Sequence, residues 1–484
     1  MRRRTMASVT ANRVDFIEAL KRIKQVVGPK GWTNDLESML PYMTDWRGMC
    51  GTEALMVVRP KNTEEIAKLV ALCAEASISI IPQGGNTSLC GGSIPQNSGN
   101  EIIVSLARMN KVRNIDPDNY TITVEAGCIL KDLQHAASKA KRYFPLSLAA
   151  EGSAMIGGNL STNAGGTNVL RYGNARDLVL GLEVVLSDGR IWNGLRGLRK
   201  DNTGYDLKQL FLGSEGTLGI ITAAVLKIFP EPTEVCSAFC AVPNVAAAVA
   251  LLELARSESG DAVETFELMP RLMIDLVIKH IADCKDPLSE RYDFYVLLEL
   301  VSTASLDIRL SERLELILSN AFESGLVIDA AIAQNETQRQ AFWKLRENAS
   351  ESQRIEGASI KNDISVPISR IAEFYDIAWI KVAEMEPNIR LVAFGHIGDG
   401  NLHYNLQIPE HSEKNAFLAR CEEFNGVIND IVLEMGGSIS AEHGIGRLKR
   451  KELARYKDKV SMDLMKTIKN VMDPGGIFNP GKVL

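Results

Sequence analysis

Glu151-Gly-Ser-Ala-Met-Ile-Gly-Gly-Asn-Leu-Ser-Thr-Asn-Ala-Gly-Gly-Thr167 packs five glycines among serine, threonine and asparagine. Small residues let a backbone come close to a ligand. The side chains between them are the short donors that a pyrophosphate or ribityl chain needs, so the stretch is assigned to a ligand rather than to a plain connection. Two more glycine-punctuated segments flank it. Ile78–Ile81 reads as a strand that empties into Pro82-Gln-Gly-Gly-Asn-Thr-Ser-Leu-Cys-Gly-Gly92. Consecutive backbone N–H groups in such a loop can grip a phosphate, although alone it is equally well an ordinary turn. Phe211-Leu-Gly-Ser-Glu-Gly-Thr-Leu-Gly-Ile-Ile221 ends in a β-branched strand. No G-x-G-x-x-G opens a helix after a strand and no G-x-x-x-x-G-K-[ST] occurs, so neither a dinucleotide Rossmann unit nor a P-loop is supported.

Periodicity fills in the chain between these loops. Helices are predicted over Val14–Val27, Thr63–Glu75 with Thr63 as N-cap, and Leu130–Lys139. Short strands are predicted at Ala54–Pro60, Glu101–Leu106, Val112–Asp116, Thr121–Ala126 and Leu182–Leu186, the last turning at Ser187-Asp-Gly189. At Pro230-Glu-Pro232 glycine thins out. From there apolar strands (Phe294–Leu300, Leu391–Gly395) alternate with long helices (Val245–Ser257, Leu310–Ser324, Arg339–Gln353, Asn415–Leu433). Four parts follow: a helical lead-in over 1–50, a ligand-binding domain over 51–232, a second domain over 233–433 and a C-terminal segment over 434–484.

Composition is ordinary for a globular chain of 484 residues, 45% hydrophobic and 24% charged. A net charge of −6 and the lack of a basic run argue against nucleic acid. Eight scattered cysteines without a C-x-x-C exclude a simple thiolate metal site and fit a reducing compartment, the cytoplasm or, in a eukaryote, the mitochondrial matrix. No apolar run is long enough to span a membrane. The basic start, Met1 to Arg13, has no apolar core and is no secretory signal. It reads as a loose start or one preceding a true Met6, with a transit peptide as the weaker alternative.

Three of the six histidines fall in two glycine-rich stretches, Gly395-His-Ile-Gly-Asp-Gly-Asn-Leu-His-Tyr-Asn405 and Ser438-Ile-Ser-Ala-Glu-His-Gly-Ile-Gly446. His396, His403 and Glu442 make a two-imidazole, one-carboxylate set that suits a divalent metal with open positions. His443 is then free to move a proton. A satisfied pair of core histidines is the plainer alternative. In Arg339–Gln353, Phe342, Leu345 and Ala349 form an apolar stripe while Arg346 and Ser350, four apart, share another face. In Ala358–Pro367, alternation sets Ala358, Ile360, Ile364 and Val366 against Ser359, Lys361, Asp363 and Ser365. Arg346 and Lys361 are thereby candidates to face one cleft, against the alternative of two solvated faces.

Pro82–Gly92, the run Gly152–Gly189, Lys200-Asp-Asn-Thr-Gly-Tyr-Asp206 and Gly213-Ser-Glu-Gly-Thr-Leu-Gly219 together resemble the FAD domain of the vanillyl-alcohol-oxidase / p-cresol-methylhydroxylase superfamily. Gly395–Asn405, Ser438–Gly446 and Asp473-Pro-Gly-Gly-Ile-Phe-Asn-Pro-Gly-Lys482 are similar to its branch of D-lactate, glycolate and D-2-hydroxyglutarate dehydrogenases. Leu170–Gly173 with Lys200–Asp206 looks most like the last of these. The resemblance implies an α+β chain: a two-part FAD-binding domain, an α+β substrate (cap) domain and a C-terminal helical segment. It implies FAD contacts at Pro82, Gly84, Gly85, Asn86, Thr87, Ser88, Gly152, Ser153, Gly157, Gly158, Ser161, Asn163, Glu215, Gly216, Ile221 and Asn479. It also implies metal ligands at His396, His403 and Glu442, a proton-handling His443, and substrate contacts at Arg346, Lys361, Asn405 and His443. The family's threonine at the next contact is Ser350 here. No histidine stands in Pro82–Gly92, so the FAD is expected to be non-covalent.

The expected chemistry is oxidation of a D-2-hydroxy acid, best D-2-hydroxyglutarate, with D-lactate, glycolate or D-malate as alternatives. Zinc is the expected metal, with manganese, cobalt or iron also suited. The acceptor comes from outside: electron-transferring flavoprotein, quinone, cytochrome or oxygen. A homodimer is a family expectation. Two rival classes stay open: a metal hydrolase built on the same triad, and a flavin-bearing subunit without catalysis.

Overall fold

The computed structural model describes residues 16–96, 99–304 and 309–484. The expectations for Met1 to Arg13 and the first residues of the Val14 helix lie outside them; 16–27 is helical. The chain forms two compact units. The first comprises Met1–Ala164, Asn174–Pro230 and His443–Leu484; the second comprises Gly165–Gly173 and Glu231–Glu442. The passage into the second unit at 230/231 falls beside the composition change at Pro230–Pro232. The nine residues 165–173 are an excursion from one unit into the other that no composition change marks.

The first unit carries two sheets, as a two-part FAD-binding domain should. One has the order Trp32–Thr33, Met56–Val58, Glu101–Ser105, Ser79–Gln83, with the last three strands parallel. Helix Thr63–Ala76 makes the crossover that parallel strands require. The other is antiparallel, in the order Val112–Asp116, Thr121–Glu125, Ile220–Lys227, Val179–Val185, Ile191–Gly194. Its last hairpin closes at Gly189, whose φ of 83° fits glycine. Asn62, not Thr63, caps the crossover helix: its side chain accepts from the Glu65 N–H at 2.8 Å. Thr63 stands one residue further in, and its hydroxyl donates to the buried Glu183 at 2.7 Å.

The second unit has a four-stranded antiparallel sheet, Val263–Pro270, Phe294–Ser302, Glu234–Val242, Asp329–Ile332. Both faces are covered, so the strands read as nearly unbroken apolar runs. Val296, Leu298 and Leu300 enter the core with helices Val245–Ser259 and Leu310–Glu323. Tyr295 and Leu297 enter the other, with Phe342 and Leu345 of helix Glu336–Glu347. A second sheet is built around Asn401–Gln407, which pairs with Ser359–Ile360, Asp363–Ser365 and Arg390–Phe394.

Two predicted helices are broken. The 339–353 helix is two, Glu336–Glu347 and Ala349–Glu356, parted at Asn348. There the asparagine amide bonds the Lys344 carbonyl at 2.8 Å, a local side-chain bond that competes with the helix. Arg346 and Ser350 therefore stand on separate helices, Arg346 buried and Ser350 exposed. The 415–433 helix is likewise Lys414–Ala419 and Cys421–Glu434.

The corrected cap is directly testable. Asn62→Ala should lower unfolding free energy by about 1 kcal/mol in a urea titration with the slope unchanged.

Candidate functional site

In the first unit the two glycine-rich loops lie against each other. A Cβ on Gly85 would sit 2.0 Å from the Ser153 carbonyl oxygen, and one on Gly157 would sit 2.7 Å from the Ala126 Cβ, so these glycines are required by packing. Gly152 and Gly158 face open space, with nothing within 4 Å. Asn86, in the left-handed region at φ 55°, pins its loop: its amide donates to the Pro41 and Thr44 carbonyls, and its oxygen accepts from Ser93. The N–H groups of Gly84, Gly85, Asn86 and Thr87 bond to no group among the described residues. Four successive free donors beside open glycines fit a diphosphate.

The third segment and the C-terminal run close on the same place. The Glu215 N–H donates to the Ser161 carbonyl at 2.7 Å. The Asn479 amide bridges the Gly92 and Glu215 carbonyls at 2.9 and 2.8 Å. Gly216 sits over Pro82 at φ 70°. Ser161 bonds its own helix at Gly157, Asn163 takes the Arg176 N–H, and Ile221 is buried in its strand. Glu215 has a use that the sequence did not suggest. Its half-buried carboxylate accepts the Ile445 and Gly446 N–H groups, both at 2.7 Å, and partial loss of solvent raises its pKa. It thereby fixes the backbone immediately after His443.

In the second unit, strand Asn401–Gln407 buries Leu402, Tyr404 and Leu406 in the core and turns Asn401, His403, Asn405 and Gln407 to the other side. His396, His403 and Glu442 meet there. Glu442 lies 3.7 Å from His396 Nε2 and 3.8 Å from His403 Nε2. It also accepts the Gly166 N–H at 2.7 Å, and its own N–H donates to Asp363 at 2.8 Å. Each imidazole has a second carboxylate at Nδ1: Glu267 at 2.5 Å from His396 and Asp363 at 3.7 Å from His403. That pattern orients the Nε2 atoms of metal-binding histidines, so the donor set fits a divalent cation. Asp363, His403 and Glu442 also offer ligand atoms within 4.8 Å of one another.

Charges in this cluster are strongly coupled. Burial opposes the imidazolium of His396, but Glu267 and Glu442 outweigh it and raise its pKa to about 9. Burial likewise opposes the Glu267 carboxylate, yet Arg346 and His396 pull its pKa down to about 2. Burial pushes Asp399 up to about 7.

Arg346 is buried, with Nε on Glu267 at 2.6 Å and its guanidinium 4.9 Å above the Phe394 ring. Asn405 is buried and donates to Gln353 at 3.1 Å. Lys361 is half-buried between strands Ser359–Ile360 and Asp363–Ser365. His443 directly follows Glu442 in the chain. Glu267 was not singled out by the sequence, and Asp363 only as part of a polar face. The available signal was a glutamate inside Val-Glu-Thr-Phe-Glu-Leu-Met-Pro, where a buried strand tolerates a charge only if it is paired.

Known proteins share the sequence and the fold of this chain. A family model for FAD linked oxidases, C-terminal domain, matches residues 231–483, and one for the FAD binding domain matches 54–194. The chain belongs to the FAD-linked oxidases. A mitochondrial D-2-hydroxyglutarate dehydrogenase of Arabidopsis thaliana is 38% identical over 461 residues, 95% of this chain and 80% of that one. A D-2-hydroxyglutarate–pyruvate transhydrogenase of Saccharomyces cerevisiae is 33% identical, over 93% of this chain and 90% of its own length. A structure of p-cresol methylhydroxylase with substrate bound superposes with a TM-score of 0.73 over 97% of this chain and 96% of that one, at 15% identity. The protein is an FAD-dependent oxidoreductase with the fold of that enzyme. Among the described residues no helix is long and apolar enough to cross a membrane.

Gly85→Ala should separate the two loops. Titrated with FAD, the apoprotein of the variant should bind about 5- to 150-fold more weakly than wild type, the loss of affinity to which an overpacking strain of ~1–3 kcal/mol corresponds.

Proposed function

We propose that this flavoprotein oxidises D-2-hydroxyglutarate to 2-oxoglutarate, with a divalent metal, best zinc, on His396, His403 and Glu442. The convergence of two carboxylate-backed imidazoles on Glu442 carries the reading. The names of the curated relatives over nearly the whole chain support the substrate. When bound, FAD supplies a hydride acceptor and the metal a Lewis acid that acidifies the 2-hydroxyl.

The chain's own residues do the rest. His443 takes the hydroxyl proton, a role suited to an imidazole at neutral pH. Its backbone neighbours Ile445 and Gly446 are held by Glu215, so the base stands next to a fixed segment. Arg346, Lys361, Asn405 and Ser350 hold carboxylates. Arg346 does so with the terminal nitrogens left after Nε is spent on Glu267; Lys361 does so as a point charge. Pro82, Gly84–Ser88, Gly152, Ser153, Gly157, Gly158, Ser161, Asn163, Glu215, Gly216, Ile221 and Asn479 form the cradle for dissociable FAD. The electrons leave to an outside carrier: electron-transferring flavoprotein, a quinone or a cytochrome. The transhydrogenase name of the yeast relative adds a 2-oxo acid to the acceptors worth testing. A homodimer in the cytoplasm, or in the matrix of a mitochondrion, completes the proposal.

Two experiments test it. Chelator, or His403→Ala, should abolish dye-linked turnover while leaving the flavin spectrum intact, and divalent ions should restore the chelated enzyme but not the variant. Full turnover by demonstrably metal-free protein would reject the metal. The second compares substrates. Lys361→Met or Arg346→Met, whichever is the distal clamp, should cost hydroxyglutarate about one to two decades in kcat/KM, from a charge-assisted bond of roughly 1.5–3 kcal/mol, and cost lactate much less. Equal losses on both acids would favour a short-chain substrate.

A further inference from the structure

Glu267 has no part in the reaction as proposed, yet its carboxylate joins two residues that do. One oxygen lies on His396 Nδ1 at 2.5 Å and the other on Arg346 Nε at 2.6 Å. The side chain is wholly buried. Three elements set this geometry. Glu267 is in strand Val263–Pro270, where the next residue, Leu268, exchanges two backbone hydrogen bonds with Gly395 at 2.9 and 3.1 Å. That bridge sets Glu267 beside His396. Arg346 reaches in from helix Glu336–Glu347, held across the Phe394 ring.

We propose that Glu267 is a positioning residue that sets both the metal-binding imidazole and the substrate-binding guanidinium with one carboxylate. The inference rests on the function proposed above and deepens it. A carboxylate at Nδ1 keeps the proton there, so His396 offers its Nε2 lone pair to a cation. A carboxylate at the arginine Nε fixes the plane of the fork. The two Nη groups of Arg346, which have no hydrogen-bond partner among the described residues, are then aimed as a pair at a second carboxylate. The Glu267–Arg346 pair is neutral in sum, so Arg346 selects a carboxylate by geometry more than by net charge. Both partners are donors. A glutamine at 267 has one accepting end and one donating end, and it must fail one of them.

The test uses full-length holo-flavoprotein as wild type, Arg346→Met, Glu267→Gln and the double variant. Glu267→Gln alone leaves a guanidinium buried without its partner, which endangers folding; the double variant removes both charges together. Each protein is stripped with chelator, its flavin spectrum and thermal midpoint are recorded, and Zn2+ is titrated in by calorimetry without substrate. Arg346→Met should retain zinc binding. The double variant should bind zinc about 10- to 100-fold more weakly than Arg346→Met, the usual cost of losing the carboxylate behind a metal-bound histidine. Equal zinc affinity in the two would overturn the positioning role and leave Glu267 as a counter-ion for Arg346. No zinc binding by wild type would overturn the metal itself and the inference with it, so the two failures are distinct.

Discussion

Strand Asn401–Gln407 is covered on both sides, and side chains alternate along it. One side is apolar and joins the main core of the second unit. The other carries Asn401, His403, Asn405 and Gln407, all buried or nearly so. A buried polar group without a partner costs roughly 1–3 kcal/mol, so this face constrains everything packed on it. Asn401 is met by Asp363 and the Ile364 carbonyl, Asn405 by Gln353, and His403 by Asp363 and Glu442. Asn401 Oδ1, Gln353 Nε2 and Gln407 Oε1 are buried in the same layer without a hydrogen-bond partner among the described residues.

The first unit solves a different problem, bringing backbone to backbone. Gly85 meets the Ser153 carbonyl, Gly444 meets the Glu215 carboxylate, and Gly446 meets the Cys90 carbonyl, each closer than any Cβ allows. At these glycines the absent side chain lets the cradle close, while the Gly85 N–H stays among the free donors. Gly152 and Gly158, with clear space before them, are the ones that a ligand can use. Glycine density alone does not separate the two kinds.

That distinction marks how far the sequence was legible. The glycine loops, the turn at Gly189, helix Leu130–Lys139 and the convergence of His396, His403 and Glu442 could all be read from residue type and spacing. What escaped depends on tertiary partners. Thr63 and Asn62 are both good caps; only the neighbouring Glu183 draws Thr63 away from that role. The break at Asn348 turns on one side-chain bond to Lys344. Residues 165–173 leave their unit because Leu170 packs into the second unit's core and Arg171 bonds the Ala262 and Val301 carbonyls. Glu267 was missed because a charge inside an apolar strand signals that it is paired but not with what; its partners are Arg346, 79 residues away, and His396, 129 away.

Charge balance in the polar cluster bears on the metal proposed above. Glu267, Asp363 and Glu442 bring three negative charges into contact with His396, His403 and Arg346, of which only Arg346 is always positive. With both imidazoles neutral these six side chains sum to a charge of −2. Burial makes such an excess costly unless it is balanced. A proton on His396 covers part of it, because Glu267 and Glu442 raise its pKa to about 9 against the pull of burial. That proton is a poor substitute, because protonated imidazoles are lost as metal ligands. The divalent cation proposed above would bring two positive charges at once and take both imidazoles in their neutral form.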